Sequence, residues 1–141
     1  ADKLALFKDG AIIQHGKAET LYSAPTDRYV ADFLGAGNYL PVTVTSSHQV
    51  HYSLGDLSST EALSLPIGSQ GQLLLRPQQI ELHPSINGRG CIVERHFLGT
   101  VCHYQVQIGA DILNVSSQLT TLMAGQRVDI NITAHPLVIF N

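Results

Sequence analysis

GCIVERHFLGTVCHYQVQIGADILNV, running from Gly90 to Val115, is the stretch on which the fold turns. Leu98-Gly99 and Gly109 to Asp111 interrupt runs rich in Val, Ile and Tyr, which predicts a three-strand meander. In the middle run Cys102, Tyr104, Val106 and Ile108 alternate with Val101, His103 and Gln105. A period of two puts one set in a core and the other in water.

The same pattern continues in both directions. Further strands are predicted at Leu40–Thr45, Gln49–Leu54, Gly71–Arg76, Gln79–Leu82, Arg127–Ile132 and Leu137–Phe140, bounded by Gly, Pro, Asn or Ser. The meander itself spans Gly90–Phe97, Thr100–Ile108 and Ile112–Val115, and a short helical turn is expected within Ser116 to Ala124. Many short strands with no long helix between them mean a sandwich or a small barrel, closed to hide its edges. The expected fold is mainly β, an OB-like β-barrel.

The first 35 residues read differently. Asp9-Gly10 between the apolar runs Lys3–Phe7 and Ala11–His15 predicts a tight hairpin, because both residues accept positive φ. A helix over Ala18 to Ser23 must end before Pro25. A second, with Thr26 as N-cap, presents Tyr29, Val30, Phe33 and Leu34 on one face and stops at Gly35. Gly35-Ala36-Gly37 reads as a joint.

The chain has 141 residues, 44% hydrophobic and 13% charged, with a formal charge of −3. That balance excludes a general nucleic-acid binder, which needs clustered cations, and long disorder, which needs high charge. No apolar run approaches the roughly 20 residues that span a bilayer, so no direct membrane insertion is expected. All three lysines (Lys3, Lys8, Lys17) precede residue 18, and residues 36–141 hold only ten charged side chains. A surface so poor in charge favours self-association over a merely Ser/Thr/Gln-rich monomer. Cys91 and Cys102, without a CxxC, suggest reduced buried thiols of a cytosolic protein, a disulfide being the alternative.

Motifs for catalysis fail on mechanical grounds. Gly10 to Lys17 imitates a phosphate loop, but five residues separate its glycines where four are needed, and Ala18 has no hydroxyl for magnesium. His48 and His51 fall on opposite faces of a strand. His96 and His103 approach each other across the meander turn near Cys102, short of the four ligands a zinc site wants. No nucleophile elbow or carboxylate pair is present.

Other residues carry a resemblance. DKLALFKDGAIIQHG (Asp2–Gly16), then Leu21-Tyr22, Pro25, YVADFLG (Tyr29–Gly35) and Asn38, resembles the end of the nucleotide-binding domain of ABC-importer ATPases. LRPQQIEL (Leu75–Leu82) is similar to the "RPE" element of the appended TOBE domain, with Gln78 where Glu is usual. Gly90 to Gly99, Gly125 to Val128 and Val138 to Phe140 match its remaining landmarks. The resemblance implies three segments: 1–16, the closing hairpin of the nucleotide-binding domain; 17–35, a helical connector; 36–141, a TOBE regulatory domain. Because the chain opens on Ala1 without Met, it implies a fragment whose Walker and signature motifs, with their ATP and Mg, lie upstream. The piece itself would be no enzyme and would hold no cofactor.

The expected role is then to pair two ATPase subunits as a homodimer, with exchange of Leu137–Phe140 between protomers as a further reading. The parent would contact membrane permease subunits on the cytoplasmic side of a bacterial inner membrane. The match leans toward the iron, polyamine and thiamine branch, ferric iron being favoured. The competing expectation is a sensor for an oxyanion or metal. Candidate ligand or interface residues are Arg76, Arg95, Arg127, His96 and His103, with Arg89 the remaining cation of the β-region.

Overall fold

The computed structural model describes residues 3–35 and 37–141, Phe33 by its backbone alone. Asp2 of the resemblance, Ala36 of the joint and the place of Phe33 on its helix face lie outside the described residues.

Strands β1 (Lys3–Lys8) and β2 (Ala11–Lys17) form the expected hairpin. Asp9 and Gly10 take φ of 53° and 80°, the double left-handed turn that only such residues enter cheaply. Helices α1 (Ala18–Ser23) and α2 (Arg28–Leu34) follow. The cap of α2 is Asp27, whose carboxylate accepts from Val30 N–H at 3.0 Å, and not Thr26. Thr26 is turned to Gln14 instead: its N–H and hydroxyl both donate to Gln14 Oε1, at 2.9 and 3.2 Å. The Gln14 amide in turn donates to Ala24 O at 3.2 Å, so one side chain of β2 ties down the bend around Pro25. Leu6, Leu21 and Val30 close a small core among these elements.

The rest is β. Strands β3 (Asn38–Ser46), β4 (Gln49–Tyr52), β5 (Gly55–Ser58) and β6 (Gln70–Leu75) lead through a 3-10 turn (Pro77–Gln79) to β7 (Ile80–Pro84). Then come β8 (Gly90–Phe97), β9 (Cys102–Ile108), β10 (Asp111–Ser117), β11 (Arg127–Ile132) and β12 (Val138–Phe140). They form two five-stranded antiparallel sheets, ordered β10-β9-β8-β11-β7 and β12-β6-β3-β4-β5. In the first sheet the outer strands β7 and β10 return alongside each other, with the 3-10 turn against β10. The sheet thereby curls into the OB-like barrel. One core serves both sheets, built from Val42 and Leu73 on one side and Ile92, Tyr104, Val106 and Val128 on the other. Gly71 is needed for that packing, since a Cβ there would stand 2.7 Å from both Ile139 Cγ2 and Phe140 O.

The meander follows the alternation read from β9: Cys102, Tyr104, Val106 and Ile108 are buried. Besides the N-cap, three expectations are corrected. The strand expected over Gln49–Leu54 stops at Tyr52, because Ser53-Leu54 turn the chain into β5, which is too short to carry a clear period. Ser116 to Ala124 holds no helical turn: β10 runs on to Ser117, and the chain beyond it is irregular, pinned by side chains of other strands. Cys102 is buried but Cys91 only half so; both are free thiols.

Candidate functional site: the arginines and histidines of the β-body

Arg76 is 2% exposed. It stands where β6 leaves the sheet, and its guanidinium reaches back into the helical pair. Nη1 donates to Ala31 O at 3.1 Å and Gly35 O at 2.8 Å, and Nη2 to Tyr22 O at 3.4 Å. These are carbonyls at the C-terminal ends of α2 and α1, the groups a helix leaves without partners and where a cation meets the negative end of the dipole. The Tyr22 ring lies under the guanidinium at 4.3 Å, and Gln78 Nε2 donates to the Tyr22 hydroxyl. Nearby, the Tyr39 phenol donates to Asp32, and Arg28 covers the Tyr39 ring at 3.7 Å. Burial first, and then the hydrogen bond to the Asp32 carboxylate, push the Tyr39 phenol up from 10.0 to about 12. This polar clasp joins the helical pair to the β-body.

Arg95 owes its position to a β-bulge. The register between β8 and β9 slips between Ile92 and Glu94, leaving Val93 extra. The slip sets Arg95 opposite Tyr104 and His96 opposite His103. Arg95 Nη2 donates to Thr120 O at 2.7 Å, while the Tyr104 hydroxyl donates to Leu119 O at 2.6 Å and accepts from Leu122 N–H at 3.3 Å. The two side chains hold down the irregular segment after β10. Burial pushes the Tyr104 phenol above its ordinary value, with the neighbouring Cys102 adding to the rise.

His96 and His103 do meet as cross-strand partners, both exposed. His96 Nε2 lies 3.5 Å from Glu94 Oε2, a surface pair of small energetic weight. Cys102 points the other way, into the core. Among the described residues no group of three or more His, Cys, Asp or Glu side chains is placed to hold a metal ion. Arg127 sits on β11 opposite Cys91, its Nε donating to Gly88 O at 3.0 Å. The phosphate-loop imitation, Gly10 to Lys17, is the turn and second strand of the hairpin.

Sequence reasoning missed Asn38. Its side chain is 5% exposed and acts as an extra peptide group: Nδ2 donates to Asn114 O at 2.8 Å and Leu75 O at 3.2 Å, and Oδ1 accepts from Asn114 N–H at 2.8 Å. It closes the outer edge of β10 onto the second sheet. Its place at the end of the family string was the only signal.

Among the described residues no helix is long and apolar enough to cross a membrane. No protein-family profile matches the chain. Individual proteins do. The "Spermidine/putrescine import ATP-binding protein PotA" of Ruegeria pomeroyi is 32% identical over 114 residues, covering 77% of this chain and 31% of that protein. The PotA of Pseudomonas fluorescens strain Pf-5 is 32% identical over 120 residues, covering 77% and 32%. The "Fe(3+) ions import ATP-binding protein FbpC" of P. fluorescens strain Pf0-1 is 30% identical over 142 residues, covering 94% and 39%. The chain spans about a third of the length of the curated relatives it matches. By relationship over most of its length, this chain belongs with the ATP-binding subunits of ABC importers, in the branch that holds the polyamine and ferric-iron proteins.

Proposed function

We propose that this chain is the regulatory and dimerising portion of the ATP-binding subunit of an ABC importer. The carrying observation is the relationship to import ATP-binding proteins about three times its length, through a segment with no phosphate loop of its own. ATP and magnesium would then be handled by the rest of the parent, as would contact with membrane permeases at the inner face of the bacterial inner membrane. Ferric iron is the cargo proposed, because the Fe(3+) relative matches 94% of the chain.

The charge-poor β-body supports pairing: ten charged residues in the 106 from 36 to 141 leave little to repel a second copy. Such a pair would keep two ATPase modules at an effective concentration of about millimolar when they open after hydrolysis. Sedimentation velocity on the 15.2 kDa chain at micromolar concentrations is expected to show a species of twice that mass. A strict monomer throughout the range overturns the pairing role.

A further inference from the structure

The β-body has four cations, Arg76, Arg89, Arg95 and Arg127. Arg76 and Arg95 are drawn inward onto backbone carbonyls. The other two face solvent, and both line the same depression of about 410 Å³. It lies where the β4–β5 turn (Ser53, Leu54) meets the β9–β10 turn (Gly109), with Asp111 on its wall. The bond from Arg127 Nε to Gly88 O orients that guanidinium and leaves its two Nη groups for a ligand. Among the described residues neither Arg89 nor Arg127 has a carboxylate within 4.0 Å.

Two like charges in one concavity raise the potential there, and Asp111 on its wall offsets part of it. Guanidinium forks match carboxylates in a bidentate way. With Asp111 opposing them, the two arginines leave a net single positive charge, so a ligand gains most by engaging each fork separately. The depression has room for more than one small anionic group.

We propose that this depression binds a small organic di- or tricarboxylate, one carboxylate on each of Arg89 and Arg127, with the Ser53 hydroxyl as a further donor. Asp111 repels the ligand and limits its affinity. The site goes beyond the pairing role and stands on side-chain placement alone.

The test is titration of the chain with succinate and with citrate at constant ionic strength, followed by calorimetry and amide NMR. Saturable binding with shifts at Ser53, Gly109 and Arg127 is expected, acetate being weaker by about tenfold or more. Arg89→Gln and Arg127→Lys should reduce succinate to the acetate level, and Asp111→Asn should tighten it. Arg89 is exposed, so Arg89→Gln decides the matter if Arg127→Lys fails to fold. The proposal is overturned by the absence of saturable binding with both acids, by unchanged binding in Arg89→Gln, or by inorganic phosphate binding as well as succinate. Sedimentation of the same samples separates the two proposals, since either binding or pairing can fail alone.

Discussion

Residues 3–35 enclose Leu6, Leu21 and Val30 in a core of their own, while the β-body shares one much larger core between its two sheets. The first region carries eight charged side chains in 33 residues; the second carries ten in 106. Between them lie Arg76 with its three carbonyls, Gln78 on Tyr22, and Tyr39 on Asp32. Relative motion is the ordinary expectation where a polar junction of this kind joins two bodies. The contrast teaches that the apolar cores decide whether each body folds, and the arginine decides how they sit together.

The largest effects break one core at a time. Leu73 is fully buried between the sheets, and Leu73→Ala is expected to cost about 3–4 kcal/mol, seen as a lower midpoint for unfolding of the β-body. Leu21 is equally buried, but in the small core. Leu21→Ala should speed amide exchange through residues 18–34 and leave Tyr104 and Val106 on β9 protected. Equal loss of protection on β9 would show one cooperative unit and break the comparison.

Arg76→Met comes next. It keeps the apolar stem and removes the charge-assisted bonds; a single well-aligned one is worth about 1.5–3 kcal/mol, and bonds sharing one guanidinium do not add. The carbonyls of Tyr22, Ala31 and Gly35 regain water only if the helical pair lifts away. A loss of about 2–3 kcal/mol in docking is expected, read as faster proteolysis near Gly35 and Gly37 with the β-body midpoint nearly unchanged. Arg76→Lys should restore little, since one ammonium lacks the fork that spans two helix ends. A drop in the β-body midpoint as large as that of Leu73→Ala would make Arg76 part of the body's own core.

Much of the fold was legible because periodicity and turn chemistry agree locally. Asp9-Gly10, the stop before Pro25 and the alternation along β9 each follow from a single short window. The bulge at Val93 was not legible. Nothing in Ile92-Val93-Glu94 marks the extra residue, yet it sends Arg95 toward Tyr104 and His96 to the surface. Ser116 to Ala124 failed for a similar reason: its shape comes from Tyr104 and Arg95 bonding to Leu119, Thr120 and Leu122, which no local propensity reports. At the candidate site, His96 with His103 was visible because the hairpin is local. Arg89 with Arg127 was not, being 38 residues apart and joined only through the pairing of β8 with β11. Gln14, Asn38 and Arg76, all within the family strings, were visible only as letters. Each replaces a backbone partner across a junction, an economy that composition does not show.

The smallest effect tests the joint through pH. The Tyr39 phenol, on β3, is raised to about 12 by burial first and by its bond to Asp32 on α2 second. A folded value above the unfolded 10.0 means that the neutral phenol favours the docked state. That contribution is fully present below pH 10 and fades as the pH climbs from 10 toward 12. Tyr52 and Tyr104 are also raised by burial, but they belong to the β-body, so their ionisation weakens that core and not the joint. The two responses separate in Asp32→Asn, which removes the carboxylate and leaves the burial. Tyr39 should then ionise at lower pH, still above 10, in an ultraviolet phenolate titration. Release of the helical pair, followed by amide exchange along α2, should begin at correspondingly lower pH, with the alkaline unfolding of β9 unmoved. If release in Asp32→Asn follows the wild-type pH course, Tyr39 plays no part in the clasp, and Arg76, with Gln78 on Tyr22, carries it.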